Sequence, residues 1–416
     1  MFHRMRRSAV AALTSVVVAA GAVVALAAGG PASGAEGFYQ PPAPLPAGRD
    51  GDVIRSEPVE YLDGGATATR IMYLSRNIRG EQIPVTGLLL VPDQPWTGRG
   101  PRPLVAYGSA TVGAGDECAL SRTMAGEGRP DSLSDQIGIF INPLLERGMA
   151  VVVTDYEGMG TPGEHTFMIR EPQGYAVLDA LRAAQRLRGT GLDPRGPVAI
   201  TGYSQGAAAA ASAAELAADH APDLNLLGVY AGATPTDIAA VARQADRGYA
   251  GGVVGLAVLA ANAAYPELEV TRALNSRGLE MLETIRDLCT MEIGGEYLFL
   301  DSRTVTRDGR SLADHLARAP YDRIAREQEI GHTAPAVPVL VEHPLTDDLV
   351  PYRLGRELAS DWCEGGATVE FRTIHNLLPF LFSHVGATET AAGHSAEWLT
   401  GRFNGRPARS TCGSWF

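Results

Sequence analysis

Residues 202–206 read Gly-Tyr-Ser-Gln-Gly, a G-x-S-x-G motif. The motif limits which secondary structures can come directly before and after it. The apolar run 197–202 that leads into it is typical of a buried strand, and an alanine-rich, helix-like stretch follows at once. A serine between two glycines at such a junction predicts a sharp strand-to-helix turn, because glycine tolerates the close backbone contacts there. We therefore predict that Ser204 projects its hydroxyl from the carboxyl edge of a sheet. The alternative is a serine in an ordinary tight turn.

Strand-like and helix-like segments alternate through most of the remaining chain. Apolar, β-branched runs lie at 70–74, 83–91, 103–107, 149–154, 197–202, 226–230, 337–342 and 368–374, and helical patterns lie at about 134–147, 173–188, 206–219, 352–363 and 392–403. Several of the runs are almost continuously apolar, as the strands of buried parallel sheets are. Together with the turn at Ser204, the alternation predicts an α/β-hydrolase fold, with a mostly parallel central sheet and helices on both faces.

The alternation stops between residues 233 and 335. This segment is rich in alanine, glycine and leucine at first and then becomes charged and helical. Because structureless loops of this length are rare in compact domains, we predict an inserted, mainly helical cap or lid over 233–335. The α/β-hydrolase core is then assigned to residues 36–232 and 336–416. Within it, the proline-rich stretch 36–50 is expected to form an extended arm over the domain.

The first 35 residues have the pattern of a secretory signal peptide. Three arginines lie within residues 1–7, a mostly apolar run covers 9–28, and the small residues Ser33-Gly34-Ala35 follow. We predict cleavage after Ala35 and secretion, and the alternative is a retained membrane anchor. An exported chain with an even number of cysteines is expected to hold two disulfides, with three pairings possible. The cysteines are Cys118, Cys289, Cys363 and Cys412.

Composition excludes several classes of chemistry. The Lys+Arg total of 35 consists of arginine alone, so lysine-dependent chemistry is excluded, such as a pyridoxal Schiff base, a P-loop or a Ser-Lys pair. A formal net charge of -12 disfavours a nucleic-acid partner, because the chain would be repelled by phosphate backbones. No Cys/His group has zinc-site spacing, so we predict neither a metal nor a cofactor.

A serine nucleophile needs a base, and the base needs an orienting carboxylate. In this fold the order along the chain is serine, acid, histidine. Asp347 and Asp348 follow the predicted strand 337–342, and Asp347 is preferred because it opens an Asp-x-x-Val-Pro pattern. The histidines that come after them are His375, His384 and His394. His384 is preferred as the base because it lies in a loop before a helix, whereas the other two lie at a strand end and inside that helix.

The oxyanion hole is expected to use two backbone N–H groups. One is that of Gln205, which follows the nucleophile, and the other comes from the loop after the third strand, residues 107–116. The residues alone do not select the second donor within that loop.

Taken together, these features resemble those of the secretory lipase family, of the lipase A type found in fungi and actinobacteria. The matching motifs are Phe38-Tyr-Gln-Pro-Pro42, Gly113-x-Gly-Asp-x-Cys118-Ala, Asp155-Tyr-Glu-Gly-Met-Gly-Thr-Pro-Gly163, Gly202-Tyr-Ser-Gln-Gly206, the Asp347 pattern, His384, and Trp398-Leu-x-x-Arg-Phe403 before Cys412. They span nearly the whole chain after residue 35. The glycines and prolines of 155–163 suit a constrained loop, and the alternative is that Asp155 and Glu157 line the site.

The resemblance implies a triad of Ser204, Asp347 and His384, with Thr111 as the second oxyanion donor. It also implies the disulfides Cys118–Cys289 and Cys363–Cys412, and a lid formed by residues of about 233–335. The expected activity is that of a secreted serine carboxylic-ester hydrolase, a triacylglycerol lipase, acting on lipid or ester substrates at a lipid–water interface. A short-chain esterase or an acyltransferase on the same site is the alternative, and a non-catalytic binding protein is an alternative of another class.

The apolar stretch 248–264 within the predicted cap is a candidate wall for an acyl-chain site. The side chains offered to the acyl chain are Val253, Val254, Leu256, Val258 and Leu259. The alternative is that this stretch is an ordinary buried helix of the cap.

Overall fold

The computed structural model describes residues 35–129, 132–375 and 382–414. The predicted signal peptide, apart from Ala35, lies outside the described residues. The strands are β1 (Val53–Val59), β2 (Ala66–Arg76), β3 (Gln82–Pro92), β4 (Leu104–Gly108), β5 (Ala150–Thr154), β6 (Pro197–Tyr203), β7 (Asn225–Gly232), β8 (Val339–Pro344) and β9 (Val369–Ile374). All eight predicted strands are therefore present, with ends that differ by a few residues.

Along the chain, the helices lie before, between and after these strands. They are α1 (Ala35–Tyr39), α2 (Leu120–Thr123), α3 (Ser132–Leu145), α4 (Arg170–Arg186), α5 (Gln205–His220), α6 (Ile238–Ala245), α7 (Val253–Ala264), α8 (Ser276–Ile285), α9 (Thr290–Glu296), α10 (Leu312–Leu316), α11 (Asp322–Glu327), α12 (Tyr352–Glu364), α13 (Ser383–Gly386) and α14 (Thr388–Phe403). Short 3₁₀ helices lie at Asp116–Cys118, Pro266–Leu268, Val270–Ala273 and Ser302–Thr304.

The strands form one sheet in the order β1-β2-β3-β5-β4-β6-β7-β8-β9. The first three are joined to the sheet by antiparallel pairings, and every pairing from β5 through β9 is parallel. Parallel strands end at the same edge, so the loops that follow β4, β6 and β8 are brought together there. The pairing of Gly108 with Gly202 places the loop after β4 directly beside the turn at Ser204.

Strand β1 is absent from the sequence prediction. It lies at the edge of the sheet, none of its side chains is buried, and it contains Pro58 and charged residues. A sheet edge tolerates proline and charged side chains, and the segment therefore lacks the apolar pattern from which a strand is recognised.

The sheet is covered on both faces, as the alternation predicts. Side chains of β5 alternate between two hydrophobic cores, with Val152 in one and Val151 and Val153 in the other. Helices α4, α5 and α12 pack on the side of Val152, and α3 and α14 pack on the opposite side. The first seven alanines of α5 are buried, because this helix packs against both the sheet and α4.

The N-terminal arm begins with a helical turn, α1, and not with extended chain as predicted. Phe38 and Tyr39 are buried against the side chain of Arg70, whose guanidinium carbon lies 5.5 and 5.4 Å from the two ring centres. The Tyr39 hydroxyl also hydrogen-bonds the Ser121 hydroxyl at 2.7 Å. The arm is therefore fixed to the core by aromatic burial and cation–π contact.

Residues 233–338, between β7 and β8, hold six helices in the described structure, α6 to α11. Their assignment as a separate cap over 233–335 stays a prediction. No single helix among the described residues is long and apolar enough to cross a membrane; α7 and the segment Pro266–Ala273 reach that length only together, with a bend of 104°.

Candidate active site

Ser204 lies at the junction of β6 and α5, with backbone torsion angles φ 57° and ψ -125°. A side chain normally avoids this left-handed conformation, so the turn is strained. The flanking glycines allow it: a Cβ on Gly202 would overlap the carbonyl oxygen of Gly206, and a Cβ on Gly206 would overlap that of Gly108. The strand–turn–helix predicted from the motif is thus present, with Ser204 at its apex.

The structure brings Ser204, His384 and Asp347 together in that order. His384 Nε2 lies 2.9 Å from Ser204 Oγ, and His384 Nδ1 lies 2.8 Å from Asp347 Oδ2. The Asp347 side chain is inaccessible to solvent and that of His384 is 5% exposed. Since a carboxylate only accepts hydrogen bonds, Nδ1 carries a proton and Nε2 of the neutral ring is free to accept the serine proton.

Asp347 is held in its ionised form by its surroundings. Burial acts to raise the pKa of this carboxyl, but the neighbouring His384 and His343 and the Val350 N–H outweigh it and lower the pKa below its ordinary value. Its Oδ1 accepts hydrogen bonds from the backbone N–H groups of Leu349 at 2.9 Å and Val350 at 2.7 Å. A buried carboxylate in this setting both orients an imidazole and stabilises its positive charge.

Asp348, the competing candidate for the acid, contacts the backbone around His384 and not its ring. Its Oδ1 accepts hydrogen bonds from the His384 N–H at 2.9 Å and from the Ser383 hydroxyl at 3.1 Å. His384 itself lies in the helical turn α13 and not in a loop as predicted. The Tyr203 hydroxyl donates to the His384 carbonyl at 2.7 Å, which fixes this turn from the opposite side.

The two less favoured histidines lie elsewhere. His375 is exposed at the end of β9. His394 lies in α14 with its Nδ1 2.7 Å from Glu342 Oε1. The structure therefore places only His384 of the three beside Ser204.

The predicted oxyanion residues Thr111 and Gln205 line the same cavity as Ser204. The loop that contains Thr111 is held by the segment around Cys289. The Ala114 N–H donates to the Leu288 carbonyl at 3.0 Å, and the Thr290 hydroxyl donates to the Thr111 carbonyl at 2.9 Å. The loop before α9 thus packs against the loop that contains Thr111.

Two disulfides are present, and they join the pairs that the resemblance implies. Cys118 is bonded to Cys289, with Cα atoms 5.5 Å apart, and Cys363 is bonded to Cys412 at the same Cα distance. The first disulfide crosslinks the segment that follows the Thr111 loop to residues 233–335, and the second ties α12 to the C-terminal segment.

An apolar cavity opens beside Ser204. Its lining is Thr111, Phe167, Met168, Ser204, Gln205, Pro235, Ile238, Val241, Ala242, Ala245, Val253, Val254, Ala257, Leu349 and Val350. A second apolar cavity shares several of these residues and extends to α10 and α11. The lining of both cavities comes from segments far apart in the chain and is mostly apolar, as in small-molecule sites.

Helix α7 contributes one face to these cavities. Val253 lines the first cavity, Val258 lines the second, and Val254 and Ala257 line both. Leu256 and Leu259, which were also expected to meet a ligand, are at most 2% exposed and line neither cavity. Residues 253, 254, 257 and 258 share a face at helical spacing, which leaves the two leucines on the faces that pack into the protein.

Asp155 and Glu157 do not line the cavity beside Ser204. Asp155 is buried and accepts hydrogen bonds from the Thr86 hydroxyl at 2.7 Å and the Ser121 N–H at 2.9 Å. Glu157 accepts one from the Thr166 hydroxyl at 2.8 Å, and burial raises the pKa of its carboxyl to about 7. Asp155 therefore fixes the loop to β3 and α2, and Glu157 ties two parts of the loop to each other.

Known proteins of the same architecture are similar to this chain. Lipase A of Candida antarctica, solved in its closed state, superposes with a TM-score of 0.77 at 24% identity over 91% of this chain and 87% of that one. At this identity the likeness concerns the fold, and it confirms the predicted α/β-hydrolase class.

Sequence comparison gives the family. The model of the secretory lipase family matches residues 132–411. A Mycobacterium tuberculosis protein named a probable inactive lipase is 30% identical over 389 residues, which are 89% of this chain and 82% of that protein. A secreted triacylglycerol lipase of Malassezia furfur is 26% identical over 90% of this chain and 77% of its own. The resemblance found in the motifs is thus confirmed: this chain belongs to the secretory lipase family.

Proposed function

We propose that the protein is a secreted carboxylic-ester hydrolase, a triacylglycerol lipase that works through an acyl-enzyme on Ser204. The observation that carries the proposal is the series Asp347–His384–Ser204, hydrogen-bonded at 2.8 and 2.9 Å at the wall of an apolar cavity. Secretion is supported by the two disulfides, by the pattern of residues 1–35 and by the name of the Malassezia relative.

In the first half of the reaction, His384 Nε2 takes the Ser204 proton while Oγ attacks the ester carbonyl. Asp347 stabilises the imidazolium that forms. The oxyanion is bound by the backbone N–H groups of Gln205 and Thr111, and a donor of this kind is worth about 3 kcal/mol of barrier. His384 then gives the proton to the leaving alcohol, and the acyl group stays on Ser204.

The second half repeats these steps with water. His384 takes a proton from water, the hydroxide attacks the acyl-enzyme, and the carboxylic acid leaves as the proton returns to Ser204 Oγ. An alcohol in place of water would give acyl transfer, so the same site serves an acyltransferase if water is excluded.

The apolar lining favours a long acyl chain as the substrate group. Apart from Thr111, Ser204 and Gln205, the cavity residues have apolar side chains, and the second cavity extends the same surface. Each methylene removed from water contributes about 0.8 kcal/mol. The two cavities therefore support binding of a fatty acyl chain, with its ester carbon next to Ser204.

The proposal is tested with p-nitrophenyl esters from acetyl to palmitoyl, with emulsified triolein, and with a fluorophosphonate probe located by peptide mapping. We expect covalent labelling at Ser204 and the highest kcat/KM at long chains. A maximum at acetyl or butyryl would replace the lipase with an esterase. No hydrolysis and no label would favour a non-catalytic binding protein. This alternative is kept because the mycobacterial relative is named a probable inactive lipase.

Ala257 is predicted to control chain length, because it lines both apolar cavities. Ala257→Trp is expected to block their connection and lower kcat/KM for the palmitoyl ester about 50-fold, as the loss of about three buried methylenes would. The acetyl ester is expected to be hydrolysed within about threefold of the wild-type rate. Ala263→Trp, at a half-buried position of the same helix outside both cavities, is the control. Equal losses for both esters would contradict the assignment.

The disulfide Cys118–Cys289 is predicted to support both stability and activity. It closes a sequence separation of 171 residues, and replacing both cysteines with serine is expected to lower the free energy of unfolding by about 3–5 kcal/mol. Because the oxyanion loop loses its covalent tie, kcat is expected to fall as well. Cys363→Ser with Cys412→Ser, a pair that does not touch this loop, is the matched control for denaturant unfolding and ester hydrolysis. A larger fall in kcat for the control pair would refute the role.

A further inference from the structure

The loop between β5 and α4 places two buried rings against the two segments expected to carry the oxyanion donors. The Tyr156 hydroxyl donates a hydrogen bond to the Ser109 carbonyl at 3.1 Å, two residues before Thr111. His165 Nε2 lies 3.3 Å from the side-chain amide nitrogen of Gln205. Both rings are at most 2% exposed, and neither belongs to the Ser204–His384–Asp347 series.

The hydrogen-bond partners of His165 determine which nitrogen carries its proton. Nδ1 lies 3.0 Å from the Glu157 carbonyl oxygen, which can only accept, so Nδ1 is protonated. The Gln205 amide nitrogen can only donate, so Nε2 is the bare acceptor. Burial lowers the pKa of His165 to about 4, which agrees with a neutral ring. His165 is thus unsuited to proton transfer at neutral pH and suited to holding an amide.

The rings of Tyr156 and His165 also stack on each other. Their centres are 6.2 Å apart at an angle of 25°, and Tyr156 has a left-handed backbone with φ 67°. A non-glycine residue keeps such a conformation at a cost of about 1–3 kcal/mol, so the surrounding contacts must impose it. The two oxyanion segments also meet directly where the Gly108 and Gly206 backbones touch. The rings and this contact together leave little freedom between the loop at Ser109 and the turn at Gln205.

We propose that His165 is a positioning residue that acts through the Gln205 side chain, and that with Tyr156 it fixes the spacing between the two oxyanion segments. This inference rests on the proposed function and deepens it. Fixing the Gln205 side chain fixes the first residue of α5, whose N–H is the expected donor. A misplaced donor weakens binding of the oxyanion more than binding of the neutral ester, so kcat is affected and KM is not.

The test uses His165→Phe, which keeps a ring but removes the acceptor, and His165→Gln, which returns an acceptor oxygen near the position of Nε2. For p-nitrophenyl butyrate we expect kcat to fall about 10- to 100-fold in His165→Phe with KM within about threefold, and to recover in part in His165→Gln. Gln205→Leu keeps the backbone donor and removes the side-chain partner. If His165 acts through that side chain, Gln205→Leu combined with His165→Phe is no slower than the slower single variant.

A second measurement does not depend on activity. In the full protein labelled with ¹⁵N-histidine, we expect His165 to be neutral with its proton on Nδ1 at pH 7, and its Nε2 signal to move in Gln205→Leu. A proton on Nε2, or an unmoved signal, would overturn the inference, as would wild-type kcat in a folded His165→Phe variant. Wild-type protein that shows the expected His165 signals but hydrolyses no ester would instead overturn the proposed function, and would leave only the contact between His165 and Gln205 established.

Discussion

Replacing Ser204 with alanine is expected to lower kcat for ester hydrolysis by about 10⁴- to 10⁶-fold, because no other hydroxyl can form the acyl-enzyme at this position. The fold is expected to persist. The hydroxyl makes a hydrogen bond to His384 at 2.9 Å, and its loss changes the free energy of unfolding by about 1 kcal/mol. The measurement is kcat with p-nitrophenyl esters, together with the midpoint of thermal unfolding.

The matched variant is His384→Ala. Removing the base is expected to lower kcat nearly as much as removing the nucleophile. The double variant Ser204→Ala with His384→Ala is therefore expected to be no slower than the slower single variant. Effects that multiply would show that the two residues act independently. A Ser204→Ala protein that retains more than about 1% of wild-type kcat would require another nucleophile.

Asp347→Asn is expected to lower kcat by about 10⁴-fold with little change in structure. In the wild type, Asp347 Oδ1 accepts two backbone N–H groups and Oδ2 faces His384 Nδ1. An asparagine that keeps its oxygen toward the backbone turns its amide N–H groups toward Nδ1. The imidazole then carries its proton on Nε2, where it cannot accept the proton of Ser204.

Asp348→Asn is the control at the neighbouring position. Its Oδ1 accepts the hydrogen bonds around His384, whereas Oδ2 is buried and has no hydrogen-bond partner within the described part of the chain. An asparagine can keep the oxygen where it is needed, so kcat is expected to stay within about tenfold of wild type. Measured side by side, the two variants separate the acid from the residue that fixes the His384 backbone. A larger loss in Asp348→Asn would reverse the assignment.

Local patterns were sufficient to predict most of the fold. The turn at Ser204 depends on residues within a few positions of it, and the buried strands β4, β5 and β6 are almost continuously apolar. Strand β1 could not be recognised, because its stability comes from pairing with β2 and its own residues are charged or partly exposed. The helical turns α1 and α13 were missed for a related reason, since each is only four or five residues long and is held by tertiary contacts.

The candidate site was less accessible to prediction where it depends on distant segments. Asp347 and His384 follow from chain order and from short motifs. The cavity residues Phe167 and Ile238 come from separate segments, and nothing in either segment indicates that they meet. His165 gave no signal at all, because a single histidine between polar residues has no periodicity and its partner Gln205 is 40 positions away.

For the exported hydrolase proposed above, the crosslink between Cys118 and Cys289 also sets when full activity is reached. Thiols remain reduced in a cytosol, so a newly made chain there would have its oxyanion loop held by hydrogen bonds alone. Oxidation after export would complete the loop. For the proposed lipase, synthesis and full activity would in this way be separated in time by a redox step, and the acyl esters inside the producing cell would meet only the less active, reduced form.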